Sequence, residues 1–465
     1  MKKILSILMT ICLLASALSV SAFAALLETL DAVPVGAVLR VSALKRGETN
    51  PVVIGEYTSF EDGWNAAMKI AGDDDTMDDN GYERIVVDLC ADWNTKGYGV
   101  LTIPERARVT LNLNGHTIDR KKDVSSYDGE VMCISKNADV IINEGSIKNG
   151  FSADGAGGIH IMENATVVLN NVNIVENGAN GSDGAGIAVY DGAVLVMNGG
   201  SISDNKMLYA QFYRFPYGSL YVNNATAMLN NVTISNNRSE NEDGEGVAIY
   251  ADNSTVTLND CVVSGNGTKE IGEYAESIIG CKDSTININN TDFIGNGAIS
   301  STSDPDYSHL FYLEDSKLTM TGGKITGNAA DKLFYFEDSR VDVNAVTITD
   351  NASIVLDVDN DSAKVTLTDC TLGGNEPIKK KVDVIVDTTG TLILTNCDLG
   401  DTTFEDKSMV IGVGSIFGEG SLTMIVALIA LVASIASVSV CVALYKKKAV
   451  PATADNAPET TGEES

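Results

Sequence analysis

The side chains that most often carry acid–base catalysis are scarce in this sequence. Histidine fills that role most frequently, and the 465 residues include only three histidines, His116, His160 and His309, which lie far apart in the chain. The sequence also has no Gly-x-Ser-x-Gly elbow, Walker loop or zinc-protease helix motif. We therefore predict that the histidines are structural, with His116 in the core, and we disfavour these enzyme classes.

A second set of side chains has the chemistry of a calcium site. Asp154, Asp183 and Asp243 each begin an Asp-Gly-x-Gly turn, and carboxylates are preferred calcium ligands. These three residues are therefore calcium candidates, and no other cofactor is predicted. The alternative is that Asp-Gly only forms a tight turn before a strand. The acidic run from Asp73 to Asp79 lacks the ligand order of an EF-hand and is predicted to be a solvated loop.

Aromatic side chains form a third set. Residues 209–217 hold five aromatics in a chain that is 6% aromatic. Two later segments, 310–313 and 333–336, are apolar on both strand faces, so rings should lie outside unless a loop covers them. Flat rings can bind sugars, and the ligand-binding candidates are Tyr209, Phe212, Tyr213, Phe215, Tyr217, Phe311, Phe334 and Phe336. The alternative is that the 208–217 loop simply covers the 311–336 face.

The element that positions these side chains is a repeat marked by asparagine. One series of corners, at intervals of 23 to 32 residues, consists of Asn177, Asn205, Asn237, Asn266, Asn296, Asn328, Asn351 and Asn375. Seven residues before each lies another polar corner: Asn170, Asn198, Asn230, Asn259, Asn289, Thr321, Asn344 and Thr368. A constant spacing of seven within a variable period is typical of a rigid strand between two corners, with loops elsewhere. Each repeat is predicted to be one turn of β-strands.

The position two residues after the earlier corner predicts a stacked core. It is small or apolar in ten of eleven repeats: His116, Gly145, Val172, Gly200, Val232, Cys261, Thr291, Gly323, Val346, Cys370 and Cys397. Such side chains can stack about 4.8 Å apart in a narrow core. At the corners, asparagine tolerates a left-handed bend and its amide can bond the asparagines of neighbouring turns. The pattern predicts about eleven coils, with Cys370 and Cys397 as buried free thiols.

The first repeat resembles a known family. The segment from Val109 to Ile118 (VTLNLNGHTI) resembles the first-coil LDLNGHTI stretch of right-handed parallel β-helices of the pectate-lyase-like superfamily, in the form common in bacterial surface proteins, with Asn112 replacing the usual Asp. Strand entries such as Gly184–Ile187 also match. The resemblance covers residues 107–404 and implies an all-β, right-handed parallel β-helix solenoid. Sugar-cleaving members place paired Asp residues, or calcium-binding carboxylates with a basic proton acceptor, on one strand face, but their polygalacturonase-like GHG and RIK stretches are missing here.

The two ends of the chain predict its location. Residues 1–24 have two lysines, an apolar stretch and a small-x-small end, which is typical of a cleaved signal peptide. Residues 422–444 carry no charge and would span about 34 Å as a helix, enough for a bilayer core of roughly 30 Å. Three lysines, Lys446 to Lys448, follow and should stay cytoplasmic. We therefore predict a single-pass type I protein of the cell membrane with residues 25–421 extracellular.

The remaining segments complete the predicted domain organisation. Residues 25–106 should form a small α/β cap over the open end of the solenoid, with a helix over Phe60–Ala71 and a strand over Arg84–Cys90. Residues 405–421, which are rich in glycine, should form a stalk. Residues 445–465 should form a disordered cytoplasmic tail.

Charge and fold together suggest a function. A formal net charge of −31 excludes nucleic-acid partners. We predict a non-catalytic, membrane-anchored bacterial surface protein that uses its rod for adhesion or glycan binding, with extracellular polysaccharide or a host or neighbouring cell surface as partner. Two alternatives stay open because this fold carries many activities. One is a polysaccharide lyase or glycoside hydrolase that uses carboxylates assembled across coils, and the other is a structural spacer.

Overall fold

The computed structural model describes the chain from residue 36 to residue 413. It excludes these internal segments: 96–97, 122–127, 153–154, 181–183, 209–217, 240–245, 268–276, 298–308, 359–363, 376–384, 389–390, 401–402 and 405–409. The predicted signal peptide, membrane-spanning helix (422–444) and cytoplasmic tail lie outside the described residues. Within the described part, no helix is long and apolar enough to cross a bilayer.

The fold is a parallel β-solenoid, as the repeat predicted. Strands of successive turns pair in parallel and in register, so that Asn143, Asn170 and Asn198 lie side by side although they are 27 and 28 residues apart. Three sheets, which we name A, B and C, run along the solenoid. The asparagine repeat therefore corresponds to one turn.

Sheet A contains 23 strands, which include those of the cap and those on both sides of the first corner. They are Leu39–Lys45, Val52–Tyr57, Tyr82–Leu89, Trp93–Asn94, Arg108–Asn112, Thr117–Asp119, Asp139–Lys148, Thr166–Val175, Val194–Ser203, Thr226–Asn230, Thr233–Ser235, Thr255–Asn259, Val262–Ser264, Thr285–Asn289, Asp292–Ile294, Lys317–Thr321, Lys324–Thr326, Arg340–Asn344, Thr347–Thr349, Lys364–Thr368, Thr371–Gly373, Thr391–Thr395 and Val410–Val413.

Sheets B and C form the rest of each turn. The twelve strands of sheet B are Leu101–Ile103, Met132–Ile134, Ile159–Ile161, Ile187–Tyr190, Leu220–Asn223, Ile249–Asp252, Ser277–Lys282, His309–Glu314, Ala329–Glu337, Ala352–Val358, Ile385–Thr388 and Thr403–Phe404. The five short strands of sheet C are Asp128–Gly129, Phe151–Ser152, Gly178–Ala179, Lys206–Met207 and Arg238–Ser239.

The solenoid has about nine turns, so the prediction of eleven is wrong. The two extra corner positions lie at the ends of the repeat. The strand Arg108–Asn112, in the turn of His116, pairs with the strand Tyr82–Leu89 of the cap. At the other end, the residue seven positions after Thr395 is Thr402 rather than asparagine. Corner counting therefore includes turns near both ends that lack the later asparagine, among them the turn of Gly145, where the residue seven positions after Asn143 is Gly150.

Left-handed backbone marks the corners of the described turns, but at different residues from those predicted. The residue before each later asparagine has a positive φ, for example 56° at Asp204, and so does the residue after each earlier corner, for example 54° at Asn231. A third series lies just before the sheet A strands from Asp139–Lys148 to Arg340–Asn344, as at Asn253 with φ 45°. The corner asparagines themselves are not among the described residues with positive φ. Their role is therefore hydrogen bonding rather than bending.

The later asparagines form a continuous buried stack. The backbone N–H and the side-chain Nδ2 of Asn237 both donate to Oδ1 of Asn266, at 3.1 and 2.8 Å. Nδ2 of Asn237 also donates to the carbonyl of Ile202 at 2.9 Å, while its Oδ1 accepts from the N–H and Nδ2 of Asn205. All four bonding positions of the amide are used, which is what burial of a polar group requires. The same pattern repeats from Asn177 to Asn351, and Asn375 accepts from Asn351 at the end of the series. We call this series the asparagine stack.

The earlier corners form a second, more exposed ladder. Nδ2 of Asn170 donates to Oδ1 of Asn143 at 2.8 Å, and Nδ2 of Asn289 donates to Oδ1 of Asn259 at the same distance. These contacts confirm the predicted bonding between asparagines of neighbouring turns. Each amide nevertheless makes fewer bonds than in the asparagine stack.

The inward stack after the earlier corner is confirmed for its central members. Val172, Val232 and Cys261 are at most 1% exposed, and Val172 pairs with Gly200. His116 does not join this stack, so its predicted core position is wrong. Its side chain is 33% exposed and lies 3.4 Å from Asp92.

Two extra residues in the first turn explain the difference. Asn112 pairs with Asn143, and Thr117 pairs with Ser146. Four residues, 113–116, therefore lie between these pairs in the first turn, whereas only two, 144–145, lie between them in the next. Leu113 fills the core instead and has no exposed surface. A Cβ at Gly145 would lie 2.4 Å from Cβ of Leu113, so glycine is needed there.

A small α/β cap precedes the solenoid, as predicted. The strand Leu39–Lys45 lies antiparallel between Val52–Tyr57 and Tyr82–Leu89, and the last of these pairs in parallel with Arg108–Asn112. The helix Phe60–Ala71 has the predicted bounds. The cap thereby pairs the first strand edge of the solenoid, which would otherwise be open to other chains.

Two segments differ from the sequence-based expectations. The acidic run is a short helix, Asp74–Asp79, rather than a loop, because the side chain of Asp73 caps it by accepting from the N–H of Thr76. In the predicted stalk, Val410–Val413 pairs in parallel with Thr391–Thr395. Sheet A therefore extends beyond residue 404.

The asparagine stack generates a stability prediction. Asn296→Ala removes the acceptor of the buried N–H of Asn266 and the donor to the carbonyl of Val263, so it should lower the free energy of unfolding by about 2–4 kcal/mol. Asn289→Ala, in the same turn, removes a single exposed amide bond and should cost less than about 1 kcal/mol. Denaturant unfolding measures both variants, and equal losses would contradict the assignment.

Candidate functional site

The outer face of sheet B carries a column of tyrosines. Tyr221, Tyr250, Tyr312 and Tyr335 occupy equivalent positions in their strands, with Gly280 between Tyr250 and Tyr312. We call these four residues the tyrosine column. Neighbours on either side along each strand point into the core, so the column is a feature of the solenoid surface.

Three predicted ligand-binding residues lie on the opposite, inner face. Phe311, Phe334 and Phe336 have no exposed surface. Phe311 and Phe334 stack in the core with ring centroids 4.9 Å apart. The strands are apolar on both faces, as the sequence indicated, but their outward rings are Tyr312 and Tyr335. The tyrosine hydroxyl favours a position with access to water or a polar partner. This difference from phenylalanine could have indicated that the tyrosines, and not the phenylalanines, point outward.

The first half of the column is covered. Tyr221 is 5% exposed and Tyr250 is 6% exposed, and both pack with Ala156 and Ala188. A Cβ at Gly246 would lie 2.8 Å from Cβ of Tyr250. The turn that leads into this strand of sheet B therefore lies against the column, and the two tyrosines contribute to packing.

Gly280 interrupts the column. A Cβ at this position would lie 2.7 Å from Cδ2 of Tyr250. The ring of Tyr250 therefore occupies the space that a side chain at position 280 would fill, and the covered and open halves are separated.

The second half of the column is only partly buried. Tyr312 and Tyr335 are half-buried and stack with ring centroids 5.6 Å apart and planes at 21°. His309 stacks on Tyr335 at 4.7 Å, and Nζ of Lys332 lies 4.7 Å from the centre of the same ring. Because stacked rings cover each other's faces, a ligand would meet mainly ring edges and hydroxyls. We call Tyr312 and Tyr335 the open pair.

Charged side chains border the open pair. Lys282 donates to Glu314 at 2.6 Å, which raises the pKa of Lys282. The hydroxyl of Tyr335 donates to Glu337 at 3.0 Å. Asp252 is the register partner of Lys282 on the preceding strand. Burial raises the pKa of Asp252. The face thus offers donors and acceptors of both charge signs beside the rings.

A second feature is a charged cleft beside sheet C. Its volume is about 440 Å³, and its lining residues are Asn149, Glu176, Asp204, Asn205, Lys206 and Arg238. Glu176 and Asp204 both hold left-handed corners, with φ 56° at each. Two carboxylates and two cations from successive turns therefore meet here, a grouping that sequence reasoning missed because it depends on register.

One group of potential metal ligands also lies on the outer face of sheet B. Glu130, Cys133 and His160 place one ligand atom each within 4.8 Å of the others. Cys133 pairs with His160 on the next strand of sheet B, and His160 in turn pairs with Ala188, which packs against the tyrosine column. Burial, together with a smaller contribution from Glu130, raises the pKa of the Cys133 thiol to about 12.

Several predicted site residues fall outside the described part of the chain. These are the calcium candidates Asp154, Asp183 and Asp243 and the loop aromatics Tyr209, Phe212, Tyr213, Phe215 and Tyr217. Both assignments stay predictions.

The cysteines that the structure describes are free thiols, as expected for a chain without a disulfide scaffold. Cys90 and Cys133 are partly buried, whereas Cys261, Cys281, Cys370 and Cys397 are buried. The prediction for Cys370 and Cys397 is confirmed.

Comparison with known proteins adds no family. A scan against protein-family models, a search of curated proteins and a search of solved structures found no match to this chain. The likeness to the pectate-lyase-like superfamily therefore rests on the sequence features described above, and the structure supports the parallel β-solenoid fold alone.

The two halves of the tyrosine column should respond differently to truncation. Tyr250→Ala removes a covered ring and should lower the free energy of unfolding by about 3–5 kcal/mol. Tyr335→Ala removes a half-buried ring that stacks with Tyr312 and His309, and because this ring is less buried it should cost less, about 1–3 kcal/mol. Thermal or denaturant unfolding compares them, and a larger loss for Tyr335→Ala than for Tyr250→Ala would contradict the difference in burial between the two halves of the column.

Proposed function

We propose that this protein is a non-catalytic bacterial surface protein whose solenoid binds glycans or cell-surface polysaccharide along the outer face of sheet B. The observation that carries the proposal is the open pair, two half-exposed tyrosines on adjacent turns bordered by lysine and glutamate side chains. Tyrosine supplies apolar contact area and a hydroxyl at low entropic cost, and sugars offer both apolar faces and hydroxyls.

The rod itself supports binding of an extended ligand. Parallel strands repeat the same side-chain positions about every 4.8 Å along the solenoid. Lys282, Glu314 and Glu337 follow one another in register next to the open pair. A polymer that lies along this face would meet a row of donors and acceptors rather than one pocket.

A glycan array probed with the full-length protein in detergent tests this function. The wild type should bind a subset of polysaccharides, and the Tyr312→Ala/Tyr335→Ala variant should lose about tenfold or more in affinity. Tyr82→Ala, which alters a half-buried tyrosine of the cap, is the matched control and should bind normally. Calcium dependence of binding would favour Asp154, Asp183 and Asp243 as ligands.

Other outcomes would overturn the proposal. Unchanged binding by the double variant, together with loss in a Phe212→Ala/Tyr213→Ala/Phe215→Ala variant, would move the site to the 208–217 loop. If the protein bound no glycan and no cell surface, the alternative of a structural spacer would be favoured.

The charged cleft favours one alternative function. The cleft brings together two carboxylates and two cationic side chains, from Glu176, Asp204, Lys206 and Arg238. A polysaccharide lyase or hydrolase would need such groups. Cleavage of a polysaccharide by the full-length protein, abolished by Arg238→Ala, would establish that alternative.

We also propose a single-pass type I topology in the cell membrane, which rests on the signal-like and uncharged terminal segments of the sequence. Protease treatment of intact cells should release peptides from residues 36–413, whereas residues 445–465 should be cut only after the cells are opened. Protection of the whole chain in intact cells would contradict this topology.

A further inference from the structure

Three side chains from two neighbouring turns converge on the outer face of sheet B. Cys133 and His160 are register partners in adjacent strands, Met132–Ile134 and Ile159–Ile161. Glu130 precedes the first of these strands, and its Oε2 lies 3.3 Å from Nδ1 of His160. Sγ of Cys133, a ring nitrogen of His160 and a carboxylate oxygen of Glu130 lie within 4.8 Å of one another.

From this geometry we infer that Glu130, Cys133 and His160 form a zinc-binding site. The set combines a thiol, an imidazole and a carboxylate, which are the three ligand types that zinc uses in proteins. Calcium prefers oxygen ligands alone, so this site differs in chemistry from the predicted Asp-Gly-x-Gly sites.

The distances fit zinc after a small adjustment. A tetrahedral zinc ion with bonds of about 2.0–2.1 Å to nitrogen and oxygen holds those atoms about 3.3–3.4 Å apart. Nδ1 of His160 and Oε2 of Glu130 already lie 3.3 Å apart. The sulfur of Cys133 lies within 4.8 Å of a ring nitrogen of His160 and a carboxylate oxygen of Glu130, and a side-chain rotation can bring it to the roughly 2.3 Å bond length of zinc–sulfur.

The surroundings hold the ligands in place. The side chains of His160 and Glu130 are only 20% and 15% exposed. A Cβ at Gly155 would lie 2.9 Å from Nδ1 of His160 and 3.0 Å from Oε2 of Glu130, so glycine allows the chain to close over the ligands. The ring of Tyr190 lies against His160 at 5.2 Å.

Three protein ligands leave one coordination position for water or an added ligand, as in catalytic rather than structural zinc sites. On binding, the proton of the Cys133 thiol leaves for solvent, and zinc neither gains nor loses electrons. The simpler alternative is a bare contact between His160 and Glu130 with an inert thiol nearby. Metal titration separates the two.

The experiment uses the full-length protein in detergent, treated with chelator and titrated with Zn²⁺ or Co²⁺. We expect one tightly bound zinc per chain and, with cobalt, a near-ultraviolet charge-transfer band from thiolate to metal. Cys133→Ser should abolish that band. Cys133→Ser, His160→Gln and Glu130→Gln should each weaken zinc binding by at least about 100-fold, since even outer-shell changes cost about 10–100-fold.

Cys90→Ser is the matched control, because Cys90 is also a partly buried free thiol but lies outside the cluster. It should leave the zinc stoichiometry and the cobalt band unchanged, and circular dichroism should show that every variant keeps its β-structure. Three results would each overturn the site: no stoichiometric zinc, a cobalt band that survives Cys133→Ser, or weak binding that none of the three variants changes.

Discussion

The structure depends on the complete hydrogen bonding of a buried row of asparagine amides. In a narrow core, each polar atom must find a partner because no water reaches it. Asparagine solves this with two donors and two acceptor positions on a short side chain. Asn237 shows the outcome: its amide bonds the turn before, the turn after and a backbone carbonyl. Aspartate lacks the donors and would place repeated negative charges in the core. The asparagine stack therefore fixes how each turn sits on the next.

The constant spacing of seven residues follows from this stack. Between the two corners lies a three-residue strand such as Thr233–Ser235, with its middle residue, Ile234, in the core and a left-handed residue at each side, Asn231 and Asn236. One inserted residue would turn Ile234 outward and displace the amide behind it. The remaining side of the turn has no such constraint, so it can vary in length. The charged cleft lies at the end of this rigid segment, whereas the tyrosine column lies on sheet B, beyond the variable part of the turn.

Much of the fold could be predicted from the sequence because the corners leave a local signature. The cap helix, the parallel turns and the amide ladders all followed from spacing and residue type. The sequence did not predict that Leu113 rather than His116 occupies the core position of the first turn, because two extra residues shift the register at that corner alone. The sequence also did not show which residues of 310–313 point into the core, since aromatic rings occupy both faces of this strand. Cys133 and His160 become neighbours only through register, at a separation of one turn, and nothing in the local sequence marks them.

The most direct measurement of the central claim is native-state hydrogen exchange at the backbone amides of the asparagine stack. Each of these N–H groups donates to the side-chain oxygen of the next turn, for example Asn205 to Asn237 at 3.0 Å and Asn328 to Asn351 at 3.0 Å. If the stack holds the turns together, these amides should exchange only through global unfolding and be among the slowest in the protein. Exchange at Asn205 and Asn328 as fast as at Gly47, in the exposed loop between the first two strands of the cap, would contradict the account.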